Sequence, residues 1–411
     1  MLGSEQQLNY LCNFLATYSG FSVYDPVLVS STNSSLTPSH LVSAIVQQLL
    51  PQLTLITPNI YEAEVLTQTK ITTYPDMLRA GNILLQLGVK NVLIKGGHLN
   101  SAGASDLFIN QQQHYWLVTN RQLFSQPVHG TGCRLSSAIA ANIALGFDLN
   151  AALILAKRYL NSALRAANLI VKTAQQYYIP QFSFDYAASD MPVVVNTHIE
   201  IKHLVKDNLV ECSPIGLYPV VANSNWVALL AKTGVKTIQL RIKEAALSAV
   251  EYEIIQSIKI ATAAGINLFI NDYWELALKH QAYGVHLGQE DLLTANIAKI
   301  KSSKLHLGIS THSHFELARA LAYQPAYIAL GPIFPTTSKI MPWAPQGVNT
   351  LKEWQRLLPD NCQLVAIGGI NLNNINEIIA AGIKNIALIS GITAAADPYQ
   401  ITQELLEHWK P

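Results

Sequence analysis

From Gly216 to the C-terminus, short apolar runs alternate with longer stretches in which apolar residues recur at helical spacing. The runs are GLYPVVA, TIQLRI, NLFIND, GVHLG, HLGIS, YIALG, QLVAIGG and NIALIS, rich in Val, Ile and Leu, with little polar alternation. Such near-continuous apolar strands are expected of a parallel sheet covered on both faces. Each is followed by a helix-period stretch, for example SAVEYEIIQSIKIATAAG and NNINEIIAAG. Eight β-then-α units predict an α/β fold of the TIM-barrel type, (β/α)8, over residues 215–411. Functional side chains of that fold lie at the C-terminal ends of the strands.

The first half alternates as well. FSVYDPVLV, LTLITPN and NVLIKGG read as strands, and PDMLRAGNILLQLG reads as a helix. PVHGTGCRLSSAIAANIALG puts glycines immediately before a helix of small residues, a turn whose backbone N–H groups can receive an anion. An open α/β layer is therefore expected over residues 1–171. Residues 172–214, including KTAQQYYIPQFSFDYAASDMPVVV, break the rhythm with prolines and aromatics and read as the connection between the two domains.

Composition narrows the function. The chain has 411 residues, half of them hydrophobic and 13% charged, enough to bury more than one core. With 27 basic against 26 acidic residues and no basic block, the electrostatic footprint of nucleic-acid binding is absent. Anionic ligands must be met by local groups. The opening MLGSEQQLNYL has no basic region followed by an apolar run, and no later segment is long and apolar enough to span a bilayer, so a cytoplasmic protein with no membrane partner is expected. Cys12, Cys133, Cys212 and Cys362 are scattered without metal-ligand pairing, which argues against a disulfide framework.

The strand ends of the barrel collect chemistry. Gln239, Arg241 and Lys243 alternate in QLRIK and are expected on one face. Asn271 and Asp272 end the next strand, and Asp291 follows HLGQE. Two carboxylates at neighbouring strand ends suit Mg2+, which takes one or two carboxylates together with phosphate oxygens. Cations, carboxylates and a metal describe a diphosphate site. Ser310, then Thr336, Thr337, Ser338 and Lys339 in GPIFPTTSK, then Gly368, Gly369, Ile389 and Ser390 supply hydroxyl and backbone donors for a second, singly phosphorylated ligand. Taken alone, a strand-end Arg is a solvated rim charge, IND is a turn, AIGGI is a tight bend and His286 is a packed residue. Their occurrence together at successive strand ends points to a site.

In order, QLRIK, IND, GVHLGQEDL, GISTH, GPIFPTTSK, AIGGI and ALIS resemble the motif set of the thiamine-phosphate synthase family, over residues 213–411. The resemblance implies coupling of an aminopyrimidine methyl diphosphate to a thiazole phosphate, with release of pyrophosphate and Mg2+ as cofactor. It implies that Gln239, Leu240, Arg241, Ile242, Lys243, Asn271, Ser310 and Lys339 bind the pyrimidine diphosphate. Of these, Arg241, Lys243, Ser310 and Lys339 would be catalytic. Asp272 and Asp291 would hold the metal, and Thr336, Thr337, Ser338, Gly369, Ile389 and Ser390 would take the thiazole phosphate. The family usually has Glu where Ile242 stands and Thr where Ser338 stands; Ile242 is expected on the opposite face, and Ser keeps the hydroxyl.

DPVLV, TPNIYEAEVL, VLIKGGH and HGTGCRLSSAIAANIALG resemble hydroxymethylpyrimidine phosphate kinase of the ribokinase-like fold, over residues 1–170. The resemblance implies an ATP site, with Lys95, Gly130, Gly132 and Cys133 as candidates and Cys133 as the base. The chain starts where the resemblance is already inside the family domain, so part of the pyrimidine pocket is expected to be missing, and Arg134 replaces the family's Thr. The alternative for this half is a degenerate module that stabilises the enzyme or joins copies into a homo-oligomer. For the barrel the alternatives are a sugar-phosphate isomerase or lyase and a non-catalytic binding module. The isomerase needs a general base, and its candidates His286 and His312 have no evident carboxylate partner in the sequence. The binding module leaves the repulsion between Asp272 and Asp291 unexplained.

Overall fold

Six strands form the main sheet of the first half, each hydrogen-bonded to the next in the order of their naming. They are β1 (Val23–Tyr24), β2 (Leu55–Ile56), β3 (Asn91–Ile94), β4 (Gly103–Asn110), β5 (His114–Asn120) and β8 (Val193–Val195); β6 (Val128–His129) pairs separately with β7 (Tyr177–Tyr178). The structure is a computed structural model that describes residues 2–28, 37–97, 99, 103–120, 128–167, 177–178, 186–197, 212–243, 245–336 and 344–409. It divides into two units, Met1–Val205 and Lys206–Pro411.

In the first unit, β1, β2 and β3 run parallel, whereas β4, β5 and β8 continue the sheet antiparallel. The parallel part follows the apolar runs of the sequence. The antiparallel part is an additional hairpin, turned at Asn110, whose Oδ1 accepts from the N–H of Gln112 and Gln113. Residues 186–195, inside the stretch expected as a connection, belong to this unit. Asp190 is fully buried and takes a two-pronged bond from Arg165 (3.0 and 2.9 Å), and Asn161 donates to the Asp190 carbonyl at 2.8 Å. This ties the segment that carries β8 to the helix Leu149–Ala167.

In the second unit, β9 (Leu217–Val221), β10 (Thr237–Leu240), β11 (Asn267–Asn271), β12 (Gly284–Leu287), β13 (His306–Thr311), β14 (Tyr327–Leu330), β15 (Gln363–Ile367) and β16 (Asn385–Leu388) form a closed parallel barrel. Each lies within the corresponding apolar run, except that β13 extends one residue further, to Thr311. The helix Leu247–Ala264 ends at Gly265 in the left-handed region, where a residue without Cβ is favoured. Helix Ser313-capped His314–Ala322 and helix Asp397-capped Pro398–Leu406 likewise start on side-chain acceptors.

The barrel interior is aromatic. Tyr218, Phe269 and Tyr327 pack edge-to-face at centroid distances of 5.8, 5.7 and 5.2 Å, each pair contributing about 1 kcal/mol beyond burial. The Tyr327 ring occupies the space beside Gly308 on the adjoining strand, where a Cβ would fall 2.1 Å from it. No described helix is long and apolar enough to cross a membrane.

Candidate functional site

Strand alternation sends Gln239 into the barrel, where it is 4% exposed and its Nε2 donates to the Tyr218 hydroxyl (3.2 Å). β10 ends at Leu240. The next ladder bond, from Arg241 N–H to Val221 O at 2.7 Å, keeps Arg241 in register, while Lys243 lies beyond the strand, exposed. Strand alternation thus holds for Gln239 and Arg241 but does not orient Lys243. Ile242 is half-buried and Leu240 is core.

Asn271 ends β11, buried and paired in register with His286 on β12. Asp272 follows with a left-handed backbone (φ 66°), a region that Asp tolerates better than most residues, and its N–H donates to the His286 carbonyl at 2.9 Å. Its side chain is exposed at the rim. Asp291 opens a short 3-10 turn after β12, and its Oδ2 accepts from the Gly288 N–H at 2.9 Å, which fixes the carboxylate. Among the described residues no three His, Cys, Asp or Glu side chains gather as a metal cluster. A pair of oxygen-only donors fits a hard divalent cation whose other ligands are substrate oxygens and water.

Ser310 lies on β13, half-buried, with its Oγ 2.6 Å from His286 Nε2. Tyr327 approaches the other ring nitrogen, Nδ1, at 2.7 Å. Burial and then the Arg241 charge hold the His286 pKa down to about 3, so the imidazole is neutral. Burial raises the phenols of Tyr218 and Tyr327. His312, by contrast, does have a carboxylate partner: its Nδ1 is 2.9 Å from Glu316 Oε2, which also takes its backbone N–H at 2.7 Å. Glu316 lies one helical turn ahead, so the pairing depends on the helix beginning at His314.

Three loops converge on the opposite side of the rim. After β14, Ile333 N–H donates to Ile367 O and Phe334 N–H to Gly368 O, each at 3.0 Å, so the chain leading to Thr336 runs along the end of β15. Gly368 and Gly369 have φ of 98° and 70°, and a Cβ on Gly369 would lie 2.5 Å from Pro335 O. The two glycines of AIGGI therefore serve close loop packing as well as the bend. A Cβ on Gly391 would meet Ile370 O at 2.7 Å, which brings in the short helix Ser390–Thr393 after Ile389. The first N–H groups of a helical turn have no acceptors within it. Thr337, Ser338 and Lys339 lie outside the described residues.

In the first unit, strand ends also meet. Lys95 Nζ contacts Asp25 Oδ1 at 2.7 Å, and Thr57 Oγ1 bonds Ser136 Oγ at 2.8 Å. Gly130 is left-handed (φ 81°) at the start of the helix Thr131–Ala144, and a Cβ on Gly132 would stand 2.9 Å from Lys95 Nζ. Burial pushes Glu62 up to about 7, against the pull of Lys95. Cys133 is exposed on this helix; partial desolvation of its sulfur, then the hydrogen bond and charge of Asp25, raise its pKa, while Lys95 opposes them. Lys95, Gly130, Gly132 and Cys133 come together as a set. Asp25 and Glu62 were not singled out from the sequence, although each follows a strand, Glu62 in an Asn-x-x-Glu capping box.

The sequence model of thiamine monophosphate synthase matches residues 217–392, and that of phosphomethylpyrimidine kinase matches residues 1–177. Among solved structures, the thiamine phosphate pyrophosphorylase from Pyrococcus furiosus is 28% identical, with a TM-score of 0.42 and coverage of 47% of this chain and 95% of that one. The Staphylococcus aureus pyridoxal kinase in complex with AMP-PCP is 30% identical, with a TM-score of 0.41 and coverage of 45% and 67%. The thiamine-phosphate synthase of Photorhabdus laumondii is 54% identical over 192 residues, 47% of this chain and 88% of the relative. Identity above one half across almost the whole of that relative, on an eight-stranded barrel, means that this chain belongs to the thiamine-phosphate synthase family.

Proposed function

We propose that the barrel condenses an aminopyrimidine methyl diphosphate with a thiazole phosphate to give thiamine phosphate and pyrophosphate. The C–O bond to the diphosphate breaks with its electron pair leaving on oxygen, and the thiazole nitrogen supplies the pair for the new C–N bond. What supports this reading is the division of the rim. One side carries Gln239, Arg241, Asn271 and Ser310; on the other the closely packed loops after β14, β15 and β16 carry Thr336, Gly369, Ile389 and Ser390.

This reading assigns Arg241, at the end of β10, together with Lys243 and Lys339 to the charge that develops on the leaving group, and fixed charges of this kind are often the largest catalytic contribution. Ser310 adds one hydrogen bond to the same oxygens. Asp272 and Asp291 would hold Mg2+, which when bound offsets negative charge on the diphosphate. This reading assigns the thiazole phosphate to Thr336, Thr337 and Ser338, and the other anion to Lys339, the next residue in the sequence. The test is pyrophosphate release by the purified chain. Release is expected only when both substrates and Mg2+ are present; none under those conditions, or release without the thiazole phosphate, defeats the reading.

A second reading applies to the first unit, favoured by the Asp25–Lys95 pair beside Gly132 and Cys133. It is phosphoryl transfer from ATP to a hydroxymethylpyrimidine phosphate. ATP-dependent turnover lost in Lys95→Ala supports it. No turnover in the unaltered chain leaves the unit as a structural module.

A further inference from the structure

We propose that the barrel interior contains a one-directional chain of hydrogen bonds, running from Gln239 through Tyr218, Tyr327 and His286, that makes Ser310 a proton donor towards the rim. His286 is the positioning residue of this chain. The inference deepens the synthase reading and rests on it for the identity of the acceptor.

The links are short and shielded. Gln239 Nε2 is 3.2 Å from the Tyr218 oxygen, Tyr218 and Tyr327 oxygens are 2.8 Å apart, Tyr327 is 2.7 Å from His286 Nδ1, and His286 Nε2 is 2.6 Å from Ser310 Oγ. Gln239, Tyr218, Tyr327 and His286 are all buried. In that setting each group must use the protons it has. The amide nitrogen only donates, so Tyr218 accepts from Gln239 and gives its single proton to Tyr327. Tyr327 in turn gives its proton to Nδ1. A neutral imidazole then carries its hydrogen on Nε2, and this is donated to Ser310 Oγ. The Ser310 hydrogen is left for an acceptor outside the chain.

The opposite direction has the opposite chemistry. If Nδ1 carried the proton, Ser310 would spend its hydrogen on Nε2 and present only lone pairs to an approaching anion. Anchoring the chain with a donor at residue 239 therefore decides whether Ser310 attracts or repels a diphosphate oxygen. Gln289 holds the same residue from behind, its Nε2 donating to the Ser310 carbonyl at 2.6 Å, and Arg319 fixes Gln289 through Nε at 2.8 Å.

The experiment begins with the 15N-histidine NMR spectrum of the full ligand-free chain, which reads the tautomer whether or not the synthase reaction is correct. The Nε2–H form is expected for His286, and Tyr327→Phe should turn it into a mixture of tautomers. Kinetics follow. Ser310→Ala and His286→Asn should each lower kcat by on the order of 10- to 100-fold, the effect of one hydrogen bond to a charged group. Their double variant should be no slower than the slower single one. His286→Gln, whose amide nitrogen reaches the Nε2 position, should recover part of the loss. An Nδ1–H tautomer in the unaltered chain, or additive losses in the double variant, would overturn the proposal. Absence of synthase turnover alongside an Nε2–H tautomer would instead sink the acceptor's identity.

Discussion

Gly369→Ala tests whether the second side of the rim is built by loop packing. The residue sits at φ 70°, where a side chain costs about 1 kcal/mol or more. The new Cβ would lie 2.5 Å from Pro335 O and 2.7 Å from Phe334 O, whereas ordinary contact begins at 3.4 Å. Relief therefore needs a displacement of about 0.9 Å, the difference between 3.4 and 2.5 Å. Both obstacles are backbone atoms, and Phe334 N–H is tied to Gly368 O at 3.0 Å, so no side-chain rotation absorbs it. The loop carrying Thr336 must move as a piece. A misplacement of about 1 Å in a positioning element costs roughly 10²-fold in rate. Pyrophosphate release with thiazole phosphate varied at saturating pyrimidine diphosphate should show kcat/KM reduced by about this factor. KM for the thiazole phosphate should rise, while KM for the diphosphate stays nearly unchanged. The midpoint of thermal unfolding should drop by about 2–4 °C for each kcal/mol of strain. Unchanged kinetics for the thiazole phosphate, or an effect confined to the diphosphate, would show that this loop does not form its site.

Asp272→Asn and Asp291→Asn remove charge while keeping a side chain that tolerates the left-handed backbone at the first position and can accept from Gly288 at the second. Both should raise the Mg2+ concentration needed for half-maximal rate and lower turnover; near-normal rates at limiting Mg2+ would refute the metal assignment. For His286, the unfolded chain takes up a proton near pH 6.5 that the folded chain refuses down to about pH 3, so its contribution to stability falls as pH drops. Between pH 7.5 and pH 5 the loss is about 2 kcal/mol, and urea titrations should show a smaller change in His286→Gln by that amount; parallel curves for the two proteins contradict it. In the first unit, Asp25→Asn should speed alkylation of Cys133 and Lys95→Ala should slow it, because Asp25 raises and Lys95 lowers that thiol's pKa. Mass spectrometry of the Cys133 peptide reads the order directly, and the reverse order would exclude the contact.

The barrel was legible because its signals are local. Apolar runs of strand length, helical periodicity between them, and Gly265 at a helix end specify elements without reference to distant residues. The antiparallel β4, β5 and β8 are not among the strands that the α/β rhythm marks, although Tyr115, Trp116 and Leu117 are core residues, because strands joined by a hairpin have no helical stretch between them to punctuate the pattern. β10 stops at Leu240, short of Lys243, and periodicity carries no signal for where a ladder stops. His312 and Glu316 were close enough to be read as a pair, yet the turn that joins them appears only when the helix start is known.

By itself, the sequence determined the order of elements in the second half, the barrel class and the residue types available at each of its strand ends, because these depend on spacings of two and about four residues. It also determined that anions must be met locally, since the net charge is only +1. Tertiary structure alone decided which groups meet: Asp25 with Lys95 across 70 positions, and Tyr218 with Tyr327 across 109. Barrel closure puts Tyr218 on β9 against Tyr327 on β14, and buried hydroxyl, amide and imidazole groups then have to satisfy one another because water is excluded. Chain separation carries no record of that requirement, whereas the closed sheet enforces it.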